Sequence, residues 1–261
     1  MGLLLKEGID IDLIKSALIA FLAISFLITL INFSPTLKNK LPNYSLQFAG
    51  LIGNTSFLGI PIAIALLPSE TINFTIGFDL GTTLFAWIFG PFFLQKKIQK
   101  NNIPKFNELI NGLLNSPASR GIIGVLLAYI FKVEEILGNY LWIPARLVLF
   151  LAIIIVGTRL GIISNQKDKI LKLDKETKYA LLLKLFIFPS IIYFICRFLN
   201  FNAYQISAVV IQAGTPTAIS TILMAEAYQI KQKIAAKILF TSTFVSIITI
   251  PLLNFFLNQS K

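Results

Sequence analysis

Two apolar stretches of the chain are each interrupted by polar residues, glycine and proline of the kind that can build a ligand site. The stretches cover residues 53–68 and 211–226, and each lies in a window long and apolar enough to span a bilayer. The interrupting residues are Asn54, Thr55, Ser56, Gly59 and Pro61 in the first stretch and Gln212, Gly214, Thr215, Pro216 and Thr217 in the second. Proline removes a backbone hydrogen bond, and irregular backbone at membrane depth persists only where protein or a water-lined cavity satisfies it. The sequence therefore predicts two broken membrane helices.

The ends of a broken helix can bind charged and polar groups. Asn54 lies about 15 Å from the start of its segment at 1.5 Å per residue, and Thr215 lies at a similar depth, so both breaks fall near the midplane. The second half of each helix presents free N–H groups and partial positive charge, which suit a carboxylate. The first half ends in free carbonyls, which suit a cation or water. We therefore expect the interrupting residues to contact a small polar or anionic substrate.

A purely structural explanation also fits these residues. Glycine, serine and threonine allow membrane helices to pack closely, and a proline can produce a kink without further consequence. A pair of breaks in corresponding positions of two halves, however, is typical of a transporter's substrate site. The pairing favours a substrate site over close packing alone.

Two acidic residues are candidates for coupling transport to an ion. Asp79 lies about 10 Å inside the nearer membrane boundary, and a carboxylate at that depth suggests proton coupling or substrate contact. The alternative is a protonated Asp79 that is hydrogen-bonded to Thr75, Thr82 or Thr83 of its own segment. Glu226 closes the second interrupted stretch and is either a second coupling candidate or a solvated helix end.

The composition identifies a polytopic membrane protein with an all-α fold. Hydrophobic residues make up 56% of the 261, charged residues only 13%, and the mean hydropathy is +0.78. The chain has no histidine, and so lacks the commonest metal ligand and the usual general base. It has one cysteine, Cys196. No nucleophile–base pair or metal cluster is evident, so we expect neither an enzyme nor a metal or cofactor.

Eight apolar segments predict eight transmembrane helices. Their loops place 16 basic residues on one side of the membrane and 6 on the side of both termini. This asymmetry predicts that both termini lie outside the cell, and it accounts for the net charge of +11 without nucleic acid. Lys15, Lys184 and Arg146 are expected to snorkel to an interface. The segments cover residues 13–33, 45–68, 72–94, 118–131, 138–162, 179–198, 203–226 and 234–257.

The segments predict an inverted repeat within one carrier domain over residues 1–261. Each interrupted segment has one plain segment before and one after it, and five segments separate the starts of the two triplets, so the triplets have opposite orientation. The triplets, 13–94 and 179–257, form the two halves of a transport domain, and 118–162 forms a scaffold. If the scaffold helices begin the second repeat, two further segments are expected before residue 13, so the first repeat is predicted to be shortened.

The chain resembles the auxin efflux carrier family, the bacterial relatives of the PIN-type plant carriers. GNTSFLGIPIAIAL looks like the family's signature at its first broken helix, and AGTPTAISTILMAEAYQIKQKIAAKILF is similar to its second. The resemblance implies ten helices in two inverted repeats of five, crossing broken helices, small organic anions as substrates and a homodimer formed through the scaffold. The resemblance begins at the family's third helix, so counterparts of its first two helices are expected to be missing from residues 1–261. The family pattern is carried by Asn54, Thr55, Gly59, Pro61, Gly214, Thr215, Pro216 and Glu226.

These observations predict a secondary transporter of the cell membrane that moves a small organic carboxylate by alternating access. A sodium-coupled organic anion symporter is the alternative within the transporter class. A truncated, non-transporting membrane protein or assembly partner is the alternative outside it.

Overall fold

The computed structural model describes residues 2–98, 117–165, 173–227 and 232–259, which are helical throughout apart from short connections and one isolated backbone pairing. The all-α fold predicted from composition is confirmed. Several basic residues of the charge count lie outside the described residues: Lys100, Lys105, Lys167, Lys169, Lys172, Lys231 and Lys261.

All eight predicted segments are helical within the described residues. The two interrupted segments are each divided into two half-helices, and the 179–198 segment is divided by a π-helical turn over Leu183–Ile187. The helices are α1 (Gly2–Glu7), α2 (Ile11–Phe33), α3 (Pro35–Lys40), α4 (Tyr44–Leu51), α5 (Ile60–Leu66), α6 (Ile72–Ile98), α7 (Pro117–Ile130), α8 (Glu134–Asn165), α9 (Lys175–Leu182), α10 (Phe188–Phe198), α11 (Ala203–Ala213), α12 (Ile219–Ala227) and α13 (Gln232–Gln259).

In the part of the chain that the structure describes, four helical stretches are long and apolar enough to cross a membrane by themselves. They are Ile11–Phe33, Ser69–Gly90, Lys175–Phe198 and Gln232–Gln259. The half-helices are shorter, as a break near the midplane requires. The short helix α1 was not predicted; it packs on α8, where Lys6 Nζ donates to Asn139 Oδ1 at 2.7 Å.

The bundle has two faces that can be recognised from cross-helix contacts. On the terminal face, which carries the first turns of α2 and α6, Asn73 donates to Asp10 at 2.7 Å and the Phe74 and Phe201 rings meet at 5.5 Å. On the opposite face, Lys40 at the end of α3 lies 5.1 Å from the ring centre of Tyr179 in α9. Successive long segments therefore run alternately between the faces, as an inverted repeat requires.

Helices α2 and α6 are held together by close backbone packing. Gly77 and Gly81 form a small-xxx-small pattern, which lets membrane helices approach closely. A Cβ atom at Gly77 would overlap the Leu13 carbonyl, and one at Gly81 would overlap the Ala17 carbonyl. Because Asp79 lies two residues from each glycine, it projects from a different side of α6. The α2–α6 contact thus fixes the position from which Asp79 reaches the broken helices.

Candidate functional site

The two broken helices cross at their breaks and pair through their backbones. The first helix breaks over residues 52–54, between the end of α4 and a π-helical turn at Thr55–Gly59, and the second over residues 214–218, between α11 and α12. Asn54 N donates to the Pro216 carbonyl at 2.7 Å, and Ala218 N donates to the Ile52 carbonyl at 3.0 Å. Gly53 and Thr217 face each other in antiparallel register. Each break therefore satisfies polar backbone groups of the other, as membrane depth demands.

Threonine hydroxyls complete this backbone pairing. Thr217 Oγ1 donates to the Ala49 carbonyl at 2.7 Å, and Thr217 N donates to Ser242 Oγ at 3.1 Å. Thr215 Oγ1 donates to the Gln212 carbonyl at 2.7 Å. Thr215 and Thr217 are fully buried. These two threonines hold the crossing together, and their hydroxyl protons are directed at carbonyls of the protein.

A buried ammonium group lies at the end of α11. Lys184 is fully buried, and its Nζ donates to the Ala213 carbonyl at 2.6 Å and lies 5.0 Å from the Phe188 ring centre. The end of a helix carries partial negative charge and unpaired carbonyls, so a cation is stabilised there. Gly53 makes room for the amine, because a Cβ atom at Gly53 would lie 2.9 Å from Nζ.

The prediction that Lys184 snorkels to an interface is wrong. Its segment begins at Lys175, four residues earlier than predicted, so Lys184 lies about 13 Å along the helix at 1.5 Å per residue. The π-helical turn that contains it then turns the side chain towards the crossing. Lys15 and Arg146 differ from it: Lys15 pairs with Asp12 at 3.6 Å, and the exposed Arg146 guanidinium stacks 4.2 Å from the Trp142 ring.

Two buried amide side chains flank the crossing with unpaired polar atoms. Asn54 is 4% exposed, and its Nδ2 has no hydrogen-bond partner among the described residues. Gln212 is fully buried, and both of its amide atoms lack a partner in the same part of the chain. Gly59 leaves the space that Gln212 occupies, since a Cβ atom there would lie 2.8 Å from Gln212 Cδ. Buried polar atoms of this kind are normally paired, so they mark a place where a ligand or water completes the site.

The carboxylate of Asp79 faces the first broken helix. Thr55 Oγ1 and Ser56 Oγ each donate to Asp79 Oδ1 at 2.6 Å. The alternative prediction, that threonines of its own segment bond to Asp79, is wrong for Thr75 and Thr82. Thr75 donates instead to the Thr71 carbonyl and Thr82 to the Phe78 carbonyl, because hydroxyls inside a helix commonly bond the preceding turn.

Two cavities meet beside this carboxylate. The terminal cavity, of about 410 Å³, lies towards the terminal face between α1, α2, α6 and α7, and Asp79 is in its wall. The crossing cavity, of about 280 Å³, lies on the other side, between the first break, α6 and the start of α12. Ser56 and Thr83 line both cavities. The walls of the crossing cavity include Asn54, Phe57, Trp87, Ala218, Ile219 and Ser220.

The predicted residues lie in the wall of a cavity, within the crossing of the two broken helices, or outside both. Asn54, Thr55, Ser56 and Asp79 line a cavity, whereas Gln212, Thr215 and Thr217 lie within the crossing itself. Pro61 is one residue into α5, beyond the break, because proline is tolerated in the first turn of a helix. Gly214 ends α11 against Leu253, which a Cβ atom would approach to 2.8 Å. Pro216 supplies a carbonyl to the crossing, and Glu226 is exposed in the last turn of α12.

Sequence reasoning did not identify Lys184, Trp87 or Ser242 as parts of the site. One feature of the sequence could have identified Lys184. It is a charged residue nine positions into an apolar helix, and that helix begins directly after its N-cap, Asp174. Trp87 lies two turns after Asp79 on α6 and lines the crossing cavity. Ser242 is supplied by α13, and a serine inside a long apolar helix does not indicate which neighbour it will reach.

Comparison with known proteins finds membrane transporters. An uncharacterized transporter of Methanocaldococcus jannaschii is 22% identical over 217 residues, which cover 79% of this chain and 66% of that protein. The chain thus spans just under two thirds of the length of this relative. The pattern of the membrane transport protein family matches residues 3–254, nearly the whole chain. With its helical bundle and two crossing broken helices, the chain belongs to the membrane transport protein family.

Proposed function

We propose that this protein is a secondary carrier of a small organic carboxylate, and that the carboxylate binds in the crossing cavity. The observation that carries the proposal is the meeting of two donors there. The start of α12, at Ile219 and Ser220, lines the same cavity as Asn54, whose Nδ2 has no hydrogen-bond partner among the described residues. A helix N-terminus with free N–H groups and partial positive charge favours an anion, and the Asn54 amide adds a donor to it.

The remaining walls suit the body of an organic anion. Phe57, Trp87, Ile219 and Leu223 are apolar or aromatic, and none of the described residues in the cavity wall is ionisable. A volume of about 280 Å³ is at the lower limit of small-molecule sites. A compact monocarboxylate fits this combination better than a large or multiply charged anion does.

Alternating access is supported by the arrangement of the two cavities. They lie on opposite sides of Ser56 and Thr83, so a substrate that moves between the faces passes this point. Backbone pairing joins the two broken helices into one body, which comprises the segments 13–94 and 179–257. Helices α7 and α8, over 118–162, are the scaffold against which this body moves in the proposal, and their exposed apolar side chains suit lipid or a second copy in a homodimer.

The buried Lys184 favours a sodium-independent carrier over a sodium-coupled symporter. Its ammonium group already donates to the carbonyl at the end of α11, where a bound cation would otherwise be stabilised. A sodium ion would have to compete with Lys184 Nζ for this carbonyl. We propose in addition that the terminal face is the outside of the cell membrane, as the charge asymmetry predicts.

The experiment is a ligand panel measured by thermal unfolding of the detergent-purified protein. Benzoate and other monocarboxylates are compared with their uncharged amides, with and without sodium. We expect stabilisation by carboxylates alone, independent of sodium, and accumulation of the same compounds in proteoliposomes. Equal stabilisation by the amides would contradict an anion site, and a requirement for sodium would favour the symporter.

A matched pair of variants tests the position of the site. Asn54→Ala removes a donor from the crossing cavity, and Asn258→Ala removes an exposed amide in the last turn of α13. A hydrogen bond to a charged group contributes about 1.5–3 kcal/mol, so carboxylate affinity should fall about tenfold or more in Asn54→Ala. Asn258→Ala should retain the affinity of the original protein. An equal effect of both variants would place the site elsewhere.

A further inference from the structure

We propose that Ser56 transmits the protonation state of Asp79 to the crossing cavity, so that one proton enters with each monocarboxylate. This inference rests on the proposed function, because it takes the crossing cavity as the carboxylate site. It adds a mechanism of coupling and assigns Ser56 as its positioning residue.

The geometry places Ser56 between two compartments. Asp79 lines the terminal cavity, and Ser56 lines both that cavity and the crossing cavity. The two side chains are joined by the hydrogen bond from Ser56 Oγ to Asp79 Oδ1, at 2.6 Å. A change of charge at Asp79 can therefore reach the crossing cavity through one hydroxyl group.

The hydroxyl group has a single proton, so its direction depends on Asp79. In the arrangement observed, both Ser56 and Thr55 donate to Oδ1, as they can to a charged carboxylate, which only accepts hydrogen bonds. The Ser56 proton is then directed away from the crossing cavity. A carboxylate substrate there would meet a hydroxyl lone pair and the negative charge of Asp79.

Protonation of Asp79 on Oδ1 reverses this hydrogen bond in the proposal. A neutral carboxyl group has an O–H of its own, which can donate to the lone pair of Ser56 Oγ. The Ser56 proton is then available to an anion in the crossing cavity, and the negative charge of Asp79 is gone. Substrate binding and protonation thus favour each other, and by linkage each raises the affinity for the other by the same factor.

Within the described residues, Asp79 is the charged side chain in the walls of the two cavities, and Lys184 lies behind Gly53, which lines the crossing cavity. The charged side chains on elements packed against α6 and α2 have other contacts or are exposed. Asp10 caps α2, Lys15 pairs with Asp12, Lys6 donates to Asn139, Lys184 donates to Ala213, and Glu70 and Arg120 are exposed.

The test measures proton uptake when benzoate binds to the purified full-length chain. Titration calorimetry in buffers with different ionisation enthalpies gives the number of protons taken up, at about pH 6 and about pH 8, where benzoate itself is an anion. We expect the original protein to take up close to one proton per benzoate at the higher pH. Its affinity should fall about tenfold per pH unit in that range.

Four variants distinguish transmission through Ser56 from a structural role. Asp79→Asn should bind benzoate independently of pH and without proton uptake, because its amide N–H₂ replaces the O–H donor. Ser56→Ala should bind at least about fivefold more weakly at low pH, from the loss of one donor, and should take up less than half a proton. Ser56→Thr should restore both values. Ser190→Ala removes an exposed hydroxyl of α10, which donates to the Phe186 carbonyl, and should behave as the original protein.

Membrane potential provides a second measurement in proteoliposomes. Carriage of one proton with one monoanion moves no net charge, so benzoate uptake by the original protein should not respond to a potassium diffusion potential. Uptake by Asp79→Asn should respond, because the anion then crosses alone.

The outcomes separate this inference from the proposed function. Saturable benzoate binding without proton uptake, or full uptake in Ser56→Ala, would overturn the inference while the carboxylate site stands. Absence of saturable binding in the original protein and in Asp79→Asn would overturn both.

Discussion

Replacement of Gly59 by alanine is a direct test of how tightly the two broken helices fit. The added Cβ atom would lie 2.8 Å from Gln212 Cδ and 3.0 Å from Thr215 Cγ2, and it would overlap Gln212 Oε1. Gln212 is fully buried, so its side chain has no solvent-filled space into which it can retreat. The substitution therefore pushes α11 away from the first broken helix.

The expected loss of stability follows from two opposing contributions. Overpacking a buried contact costs about 1–3 kcal/mol, while replacing a helical glycine by alanine returns about 0.5–1 kcal/mol. We expect a net loss of about 1–2 kcal/mol, which for a chain of this size lowers the melting temperature by about 2–8 °C. Gly121→Ala is the matched control, because no atom lies within 4 Å of its added Cβ, and it should raise the melting temperature slightly.

A double-mutant cycle assigns the loss to the proposed contact. The melting temperatures of Gly59→Ala, Gln212→Ala and the double variant are measured in detergent. Because Gln212→Ala removes the overlapping atoms, the double variant should recover at least half of the loss caused by Gly59→Ala, an interaction energy within the range known for residues in contact. The reasoning would be refuted if Gly59→Ala were as stable as Gly121→Ala, or if the two effects were additive.

Three further predictions concern the topology and the crossing. In a background without Cys196, cysteine tags at Lys38 and Lys175 should be protected from an impermeant reagent in intact cells while terminal tags react; labelling of all positions would contradict the topology. Lys184→Met should lose about 1.5–3 kcal/mol, because the Ala213 carbonyl loses a charged donor; an unchanged thermal midpoint would show that the ammonium is dispensable. Thr217→Val, nearly isosteric, should lose about 1–3 kcal/mol as the buried Ala49 carbonyl loses its donor, and a higher midpoint would oppose this.

The positions of helices and breaks could be predicted from the sequence, because hydropathy and proline act locally. All eight segments are helical in the described residues, and residues 52–54 and 214–218 are the breaks. The partners of individual side chains could not be predicted in this way. The partners considered for Asp79 from the sequence were threonines of its own helix, yet Thr55 and Ser56 come from another one.

The errors have a common physical origin, since sequence gives the depth of a residue along its own helix but not the face that its neighbours cover. Lys184 was assigned to an interface because four polar residues before Tyr179 were left out of the helix, although they form its first turn. Pro61 was assigned to a break because proline disfavours helix interiors, although it is accepted near the start of α5.

The antiparallel pairing at the crossing has a consequence for how the protein is made. Thr217 and its acceptor Ala49 are 168 positions apart, so the first broken helix is synthesised long before the second. Until then, the backbone groups of residues 52–54 have no partner from residues 214–218, and an unsatisfied group in hydrocarbon costs several kcal/mol. We therefore expect the first broken helix to reach its final position only after residues 214–218 have been synthesised.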